Sequence, residues 1–317
     1  MRRVLAVYYS QTGQLGDITA STLQPLLDDP DIHVDLVNLK PVESYPFPWP
    51  FWRFFDTFPE TVYEDYAPIE PTGIDPDVEY DLIILAYQVW FLSPSLPIVA
   101  FLNAPEAERL FKGTPVVTLI GCRNMWVMAQ ERVKEHLKRL GAHHIDNVVL
   151  TDDAHSAYTF YSTPIWMLTG NKGPYFGGKV PKAGVPDHEV AAASRFGEAI
   201  AAKLPNRERS DNSPMLAGLG AVKINERLIG SEHVAKRSFK AWGWILRKLG
   251  KPGTFFRRLV LVVYVVFLVT LILTVVPLLA IIKKLLTPLT RAKVARQKAY
   301  FARPSGESTE LLGTNET

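Results

Sequence analysis

Apolar residues along this chain fall into short unbroken runs separated by stretches of helical spacing. Val4 to Val7, Leu82 to Ala86 and Pro115 to Ile120 show no alternation, as strands covered on both faces require. Val34 to Leu39 carries Asp35 and Asn38, which places it at a sheet edge, and Asn147 to Leu150 supplies a fifth strand. Helical stripes lie between the runs: residues 15 to 28 (Leu15, Ile18, Leu23, Leu26, Leu27), Pro97 to Leu110, Asn124 to Leu140 with Gly141 as its stop, and Asp187 to Leu204. Strands alternating with helices predict an α/β fold, a doubly wound five-stranded parallel sheet of order 2-1-3-4-5. Ligands of such sheets sit at the carboxyl ends of the strands, where the order reverses.

Residues 1–204 form this predicted domain. Two segments interrupt it, 41–75 with Phe47, Trp49, Phe51, Trp52, Phe54 and Phe55, and 151–186 with Tyr158, Phe160, Tyr161 and Trp166. Their aromatics either cover edges of the fold or form a lid over an apolar substrate.

Beyond Leu204 the pattern changes. Residues 205–231 read as a polar linker, and 232–258 as a basic amphipathic juxtamembrane segment with Trp242, Ile245, Leu246 and Leu249 on one side and Lys236, Lys240 and Arg247 on another. Residues 259–282 hold no charge over 24 positions, about 36 Å of helix against a hydrocarbon core of about 30 Å. The expectation is a C-terminal transmembrane helix, with Pro277 as a kink, followed by a basic then polar tail, 283–317.

Charge divides at the same place. Residues 1–204 contain 16 Lys and Arg against 25 Asp and Glu, and the remainder 19 against 7. Because the basic residues bracket the apolar run, they point to an anionic membrane surface and not to nucleic acid. Six lysines and arginines lie on each flank, from Lys240 to Arg258 and from Lys283 to Lys298, so the positive-inside rule does not choose an orientation. Without a secretory segment at Met1-Arg2-Arg3, the domain is expected to face the cytoplasm at the cytoplasmic (inner) membrane, with a single span carrying the tail across; a kink at Pro277 that leaves both ends inside is the competing arrangement.

Candidate chemistry begins where the first strand ends, at Tyr8-Tyr9-Ser10-Gln11-Thr12-Gly13-Gln14-Leu15. Hydroxyls and a glycine between strand and helix make an anion cradle: backbone N–H groups and the positive helix end meet the ligand, and Gly13 allows close approach. Nucleotide loops with Lys, or with Gly-x-Gly-x-x-Gly, are excluded. After the third strand comes Tyr87-Gln88-Val89-Trp90-Phe91, and after the fourth Gly121-Cys122-Arg123-Asn124-Met125-Trp126. Arg123 can stabilise a reduced cofactor or orient an anion, and Cys122 is a nucleophile if its pKa is depressed. A lone cysteine excludes a disulfide framework. His143, His144 and His155 are the histidines nearest this face, and no pair has ligand spacing for a metal.

The first loop resembles the flavodoxin fingerprint Ser/Thr-x-Thr-Gly-x-Thr, with Leu15 in place of the last hydroxyl. The second resembles the Gly-Tyr-Pro-hydrophobic-Trp-Trp segment of flavodoxin-like oxidoreductases, with Gln88 in place of Pro. This resemblance implies FMN, its phosphate held by Ser10, Gln11, Thr12, Gly13, Gln14 and Leu15, and its ring packed by Gln88, Val89, Trp90, Phe91, Gly121, Asn124 and Trp126. Residues 1–204 as a unit also resemble flavodoxin-like proteins named dialkylresorcinol condensing enzymes, through these stretches together with Pro46-Phe47-Pro48-Trp49, Phe54 to Glu60, and Thr118 to Trp126.

Three functions follow as expectations. The first is a membrane-anchored FMN oxidoreductase passing electrons from NAD(P)H to an apolar acceptor such as a quinone or resorcinol-type lipid. The second is a condensing or cyclising enzyme, with Cys122 and a histidine reactive and partner proteins in lipid biosynthesis. The third is a non-catalytic electron carrier or scaffold.

Overall fold

The computed structural model describes residues 1–152, 154 and 156–313. In chain order its elements are β1 (Arg2–Tyr8), α1 (Gln14–Leu27), β2 (Ile32–Asn38), α2 (Phe51–Tyr63), β3 (Leu82–Trp90), β4 (Ser93–Pro94), α3 (Leu96–Leu102), α4 (Pro105–Phe111) and β5 (Pro115–Cys122). Then follow α5 (Val127–Arg139), β6 (His143–Thr151), α6 (Ser156–Thr169), α7 (Asp187–Ala191), α8 (Ser194–Lys203), α9 (Glu226–Lys248), α10 (Phe255–Thr270) and α11 (Val276–Phe301).

The parallel sheet runs β2-β1-β3-β5-β6, with the two-residue β4 folded antiparallel onto the end of β3. Counting only the parallel strands this is 2-1-3-4-5, the flavodoxin-like doubly wound order. The unbroken apolar runs are the central strands: Val4 to Val7 pair with Val34 to Val37 on one side and Leu82 to Leu85 on the other. Val4, Leu5, Leu82 and Ile83 are wholly enclosed, whereas β2 keeps Leu36 half exposed at the edge. Helices cover both faces. Gly197 is required where α8 meets α1, because a Cβ there would lie 2.0 Å from the Thr22 carbonyl oxygen.

Several expected elements divide. The 97–110 helix is two helices, α3 and α4, because Pro105 cannot donate to a preceding turn and starts a helix of its own. The 187–204 helix is likewise α7 and α8. Segment 41–75, read as an irregular insertion, contains α2, entered from Pro50 and closed by Glu64 at φ 59°. Segment 151–186 contains α6.

Residues 205–231 are not a free linker. Met215, Leu216, Ala221, Val222, Ile224 and Ile229 join the same core as the sheet. Their fastener is Asp146 of β6, whose buried carboxylate accepts N–H bonds from Met215 (2.6 Å) and Leu216 (3.2 Å). Burial raises the Asp146 pKa, while these N–H donors and Ser305 lower it again. α9 then packs on α2, forming a second cluster of Phe58, Val62, Leu246, Leu261 and Tyr264. Its buried side includes Lys236, which the helical pattern placed on the polar face.

The tail also returns to the domain, contrary to the expectation that a span separates them. Phe301 and Ala302 are in the main core. Ser305 Oγ donates to Asp146 (2.8 Å) and accepts from the Asn147 N–H (2.8 Å). The Ile224 N–H reaches Glu307 (2.9 Å), and Leu311 N–H reaches the Gly218 carbonyl (2.9 Å). An exposed, apolar helix from Phe255 to Val275 is long and apolar enough to enter a membrane.

Candidate functional site

The carboxyl ends of β1, β3 and β5 surround a cavity of about 240 Å³. Its floor comes from the three loops singled out in the sequence: Thr12, Gln14 and Leu15 after β1, Gln88 to Phe91 at the end of β3, and Gly121, Cys122 and Arg123 at the end of β5. Its roof was only outlined by the sequence. Trp49 and Phe54 descend from the 41–75 segment, and Thr163, Trp166, Met167 and Gly184 from the 151–186 segment, with Asp152 at one side. The aromatic density of both segments was the available signal.

In the β1–α1 turn, Gly13 is the residue before the helix, at φ 87°, with no heavy atom within 4 Å of where a Cβ would stand. No side chain caps α1, so its first-turn N–H groups face the turn without a side-chain acceptor. Ser10 Oγ is enclosed and has no hydrogen-bond partner. Gln88 Nε2 and Thr163 Oγ1 are enclosed and unpartnered as well. Buried polar atoms are costly when unpaired. Gln88 and Thr163 line the cavity and Ser10 stands in the turn that supplies Thr12 to it, so these orphans fit a ligand that carries an anionic group and several hydrogen-bonding edges.

Gln11 does not line the cavity, and Gln14 and Leu15, which do, are also committed to other contacts. Gln11 bridges to the roof, accepting from Trp49 Nε1 (3.1 Å) and donating to the Pro46 carbonyl (2.8 Å). Gln14 is held by the Val185 backbone through both amide atoms, at 2.8 and 3.0 Å. Leu15 is core, and its side chain with that of Ile18 closes on Gly121, where a Cβ would meet them at 3.2 and 3.1 Å. Trp126 is buried in the core ahead of α5, and neither it nor Asn124 lines the cavity.

The ring wall is aromatic. Trp90 packs edge-on against Tyr45 (4.9 Å between centroids), Trp49 (5.7 Å) and Tyr9 (6.0 Å), and Phe91 lies 5.0 Å from Phe54. Burial pushes the Tyr45 hydroxyl up to about 12, so it stays protonated. Phe91 and Leu92 both hold left-handed backbone, φ 47° and 59°, conformations costly for such side chains. Lys236 of α9 secures this bend, donating to the Leu92 carbonyl (2.9 Å) and to Ser93 Oγ (2.6 Å).

Arg123 is the cation of the floor. Burial lowers its pKa to about 10 against the opposing charge of Asp152, so it remains charged at neutral pH. Cys122 is different. Burial, reinforced by the Glu232 carboxylate, pushes its thiol well above the ordinary range. A thiol held in its protonated form is a poor nucleophile, which weighs against the covalent role considered for Cys122.

The histidines do not rescue that role. β6 begins at His143 and His144, so both stand at the amino end of the sheet, away from the cavity. Burial, with nearby Lys134, drives His144 down to about 3, and its Nε2 bonds Thr118 Oγ1 at 3.0 Å. His155 lies outside the described residues.

Glu232 and Lys236 were missed because α9 was read as a membrane-surface helix. Glu232 Oε2 accepts the Met128 N–H (3.0 Å) at the start of α5, directly behind Cys122 and Arg123, while its Oε1 has no partner.

No protein-family model and no curated protein matches this chain. Among solved structures it is similar to a flavoprotein in complex with FMN from Lactobacillus acidophilus NCFM, at 19% identity and TM-score 0.39 over 47% of this chain and 93% of that one. It is also similar to a flavodoxin from the domain Archaea (11%, TM-score 0.35, 64% and 99%) and to oxidised flavodoxin 1 from Bacillus cereus (12%, TM-score 0.34, 65% and 99%). The fold assignment itself rests on the strand order and register given above.

Proposed function

We propose that this protein is a membrane-attached FMN-dependent oxidoreductase that accepts electrons from NAD(P)H and delivers them to an apolar acceptor, a quinone or resorcinol-type lipid. One observation carries the reading: an uncharged anion cradle and an aromatic-walled cavity meet at the switch point of the sheet, with Gln88 Nε2 and Thr163 Oγ1 in the cavity wall and Ser10 Oγ in the cradle turn left without partners. Ser10, Thr12 and the first-turn N–H groups of α1 would hold the phosphate. Gln88 and the neighbouring backbone would meet the polar edge of the ring, and Trp90 and Phe91 its face. FMN supplies the hydride and electron chemistry when bound.

The chain's own residues do the rest. Arg123 places a permanent cation on the floor, favouring negative charge there. Trp49, Phe54 and Trp166 keep water from the cavity and select a flat apolar acceptor. A condensing reaction through Cys122 would need a thiolate that burial disfavours, which supports redox chemistry over condensation.

The test uses the full chain loaded with FMN in detergent micelles. Anaerobic NADH or NADPH should bleach the flavin absorbance, a quinone should restore it, and Cys122→Ala should retain at least half the rate. A protein that holds FMN but is reduced by neither nicotinamide would be an electron carrier, not this oxidoreductase.

A further inference from the structure

The apolar segment raises a question of topology that its composition leaves tied. Leu259 to Ile282 carries no charge, yet each flank carries six lysines and arginines. A single span would put one of those basic clusters on the outer side, against the positive-inside rule. The cost disappears when both flanks share a side.

The structure puts them there. At the near end, Arg257 in the first turn of α10 is clasped by α2, its Nε 2.6 Å from Asp56 and its Nη2 2.6 Å from Glu60. Trp242 of α9 packs on Tyr264 and Phe267 at 5.5 and 5.2 Å. At the far end, Lys298 pairs with Glu226 at the start of α9 (3.1 Å), and Phe301 lies 6.3 Å from His233. Beyond it Ser305 is buried on Asp146. α10 thus keeps one face on α2 and α9 as far as Leu268, and after the stretch beyond it the chain returns to α9 at Lys298 and Phe301.

Between these feet the chain stays helical: α10 passes through a π-turn at Leu271–Val275 directly into α11. A reversal built from helix keeps its backbone groups bonded, which is what hydrocarbon demands. Pro277, which has no N–H to donate, falls just past the π-turn, a usual place for a helix to bend. Phe255, Phe256, Leu259, Val263, Val266 and Leu273 are each more than half exposed.

Length selects the depth. Two spans need roughly 40 apolar residues, and 24 are present. Halved, they give arms of about 18 Å, close to the thickness of one leaflet's hydrocarbon, about 15 Å.

Building on the membrane attachment proposed above, we propose that residues 255–282 form a hairpin that enters one leaflet of an anionic bilayer and leaves by the same face. The exposed cations of the two flanks, Lys248, Lys251 and Arg258 on one and Arg291, Lys293 and Arg296 on the other, lie on its headgroups, and the domain and its C-terminal tail stay together in the cytoplasm. The occupant of the exposed apolar helix is lipid. Basic rims on both sides of the apolar segment complement anionic headgroups, whereas a second copy of this chain would bring like charges together. Because α10 stands on α2, and α2 supplies Phe54 to the cavity roof, the hairpin holds the cavity at the leaflet from which an apolar acceptor comes.

The experiment is done on the full chain in bacterial cells. Green fluorescent protein, which matures in the cytoplasm, or alkaline phosphatase, active only outside it, is fused after Thr317. The hairpin predicts that the protein sediments with carbonate-washed membranes, is brightly fluorescent, and shows phosphatase activity within twofold of a cytoplasmic control. Paired Val266→Asp and Leu273→Asp substitutions, both on the exposed side, should shift at least 90% of it to the soluble fraction with flavin content unchanged. A phosphatase signal tenfold above control establishes a single span and overturns the hairpin. Wild-type protein in the soluble fraction, as monomer or oligomer, overturns lipid as the occupant, and so does an aspartate double variant that stays in the membrane. Flavin content is read separately, so failure of the hairpin and failure of the cofactor reading remain distinct.

Discussion

Glu232 illustrates how one buried carboxyl couples the helix behind the site to its stability. Its pKa rises from 4.5 to about 7 because burial penalises the charged form, an effect that the N–H groups at the start of α5 and nearby Lys236 only partly offset. The folded chain therefore keeps this proton up to about pH 7, whereas the unfolded chain releases it near 4.5. Between those values the unfolded state binds fewer protons, so stability falls as pH rises from about 4.5 to about 7 and levels off above. At about 1.4 kcal/mol per pH unit the fall from this residue is of the order of 3 kcal/mol. Urea midpoints of the full chain at pH 5 and pH 8 should show that loss, and Glu232→Gln, which keeps an acceptor for the Met128 N–H, should flatten it. Equal slopes in the two proteins would refute this assignment. Burial, with this carboxyl adding to it, holds Cys122, prominent in the sequence as the lone thiol, in its protonated form: a residue's chemistry was legible, its surroundings were not.

Among the elements, α2 decides how the C-terminal region is mounted. Arg257 is 1% exposed, with both carboxylates of its clasp on α2. Removing one partner from a buried ion pair strands the others, and a loss of about 3 kcal/mol is expected because Asp56 and Glu60 still reach water. Arg257→Ala should lower the urea midpoint of the full chain and increase proteolysis between Lys248 and Phe255, with the sheet's far-ultraviolet signal retained. An unchanged midpoint would show that the clasp is ornamental.

The helix itself escaped the sequence reading because prolines at 46, 48, 50 and 59 and a crowd of aromatics obscured its period. Pro59 is nonetheless accommodated inside it. Central strands were legible, since continuous β-branched runs bounded by glycine and polar turns have few alternatives. The roof of the cavity was visible only as aromatic density, because which side chains reach inward depends on contacts between segments more than 100 residues apart, such as Gln14 with Val185.

At the scale of the whole molecule, the change in composition after Leu204 suggested a separable domain, and packing says otherwise. Met215 to Ile229 and Phe301 to Ser305 complete the core around Asp146, so a chain cut at residue 204 would expose apolar surface and strand a buried carboxylate. Composition marks where charge changes sign. It does not show that distant basic and apolar segments return to close the sheet's far edge.

The central claim is that the β1–α1 turn and the aromatic cavity bind FMN, and titration of the full chain with FMN tests it most directly. The account predicts one FMN per chain with strongly quenched fluorescence, and at least tenfold weaker binding by Gly13→Val, whose side chain would meet both the strain of φ 87° and the space the phosphate needs. A folded full-length chain that leaves FMN fluorescence unquenched, or a Gly13→Val protein that binds as tightly as wild type, would contradict it.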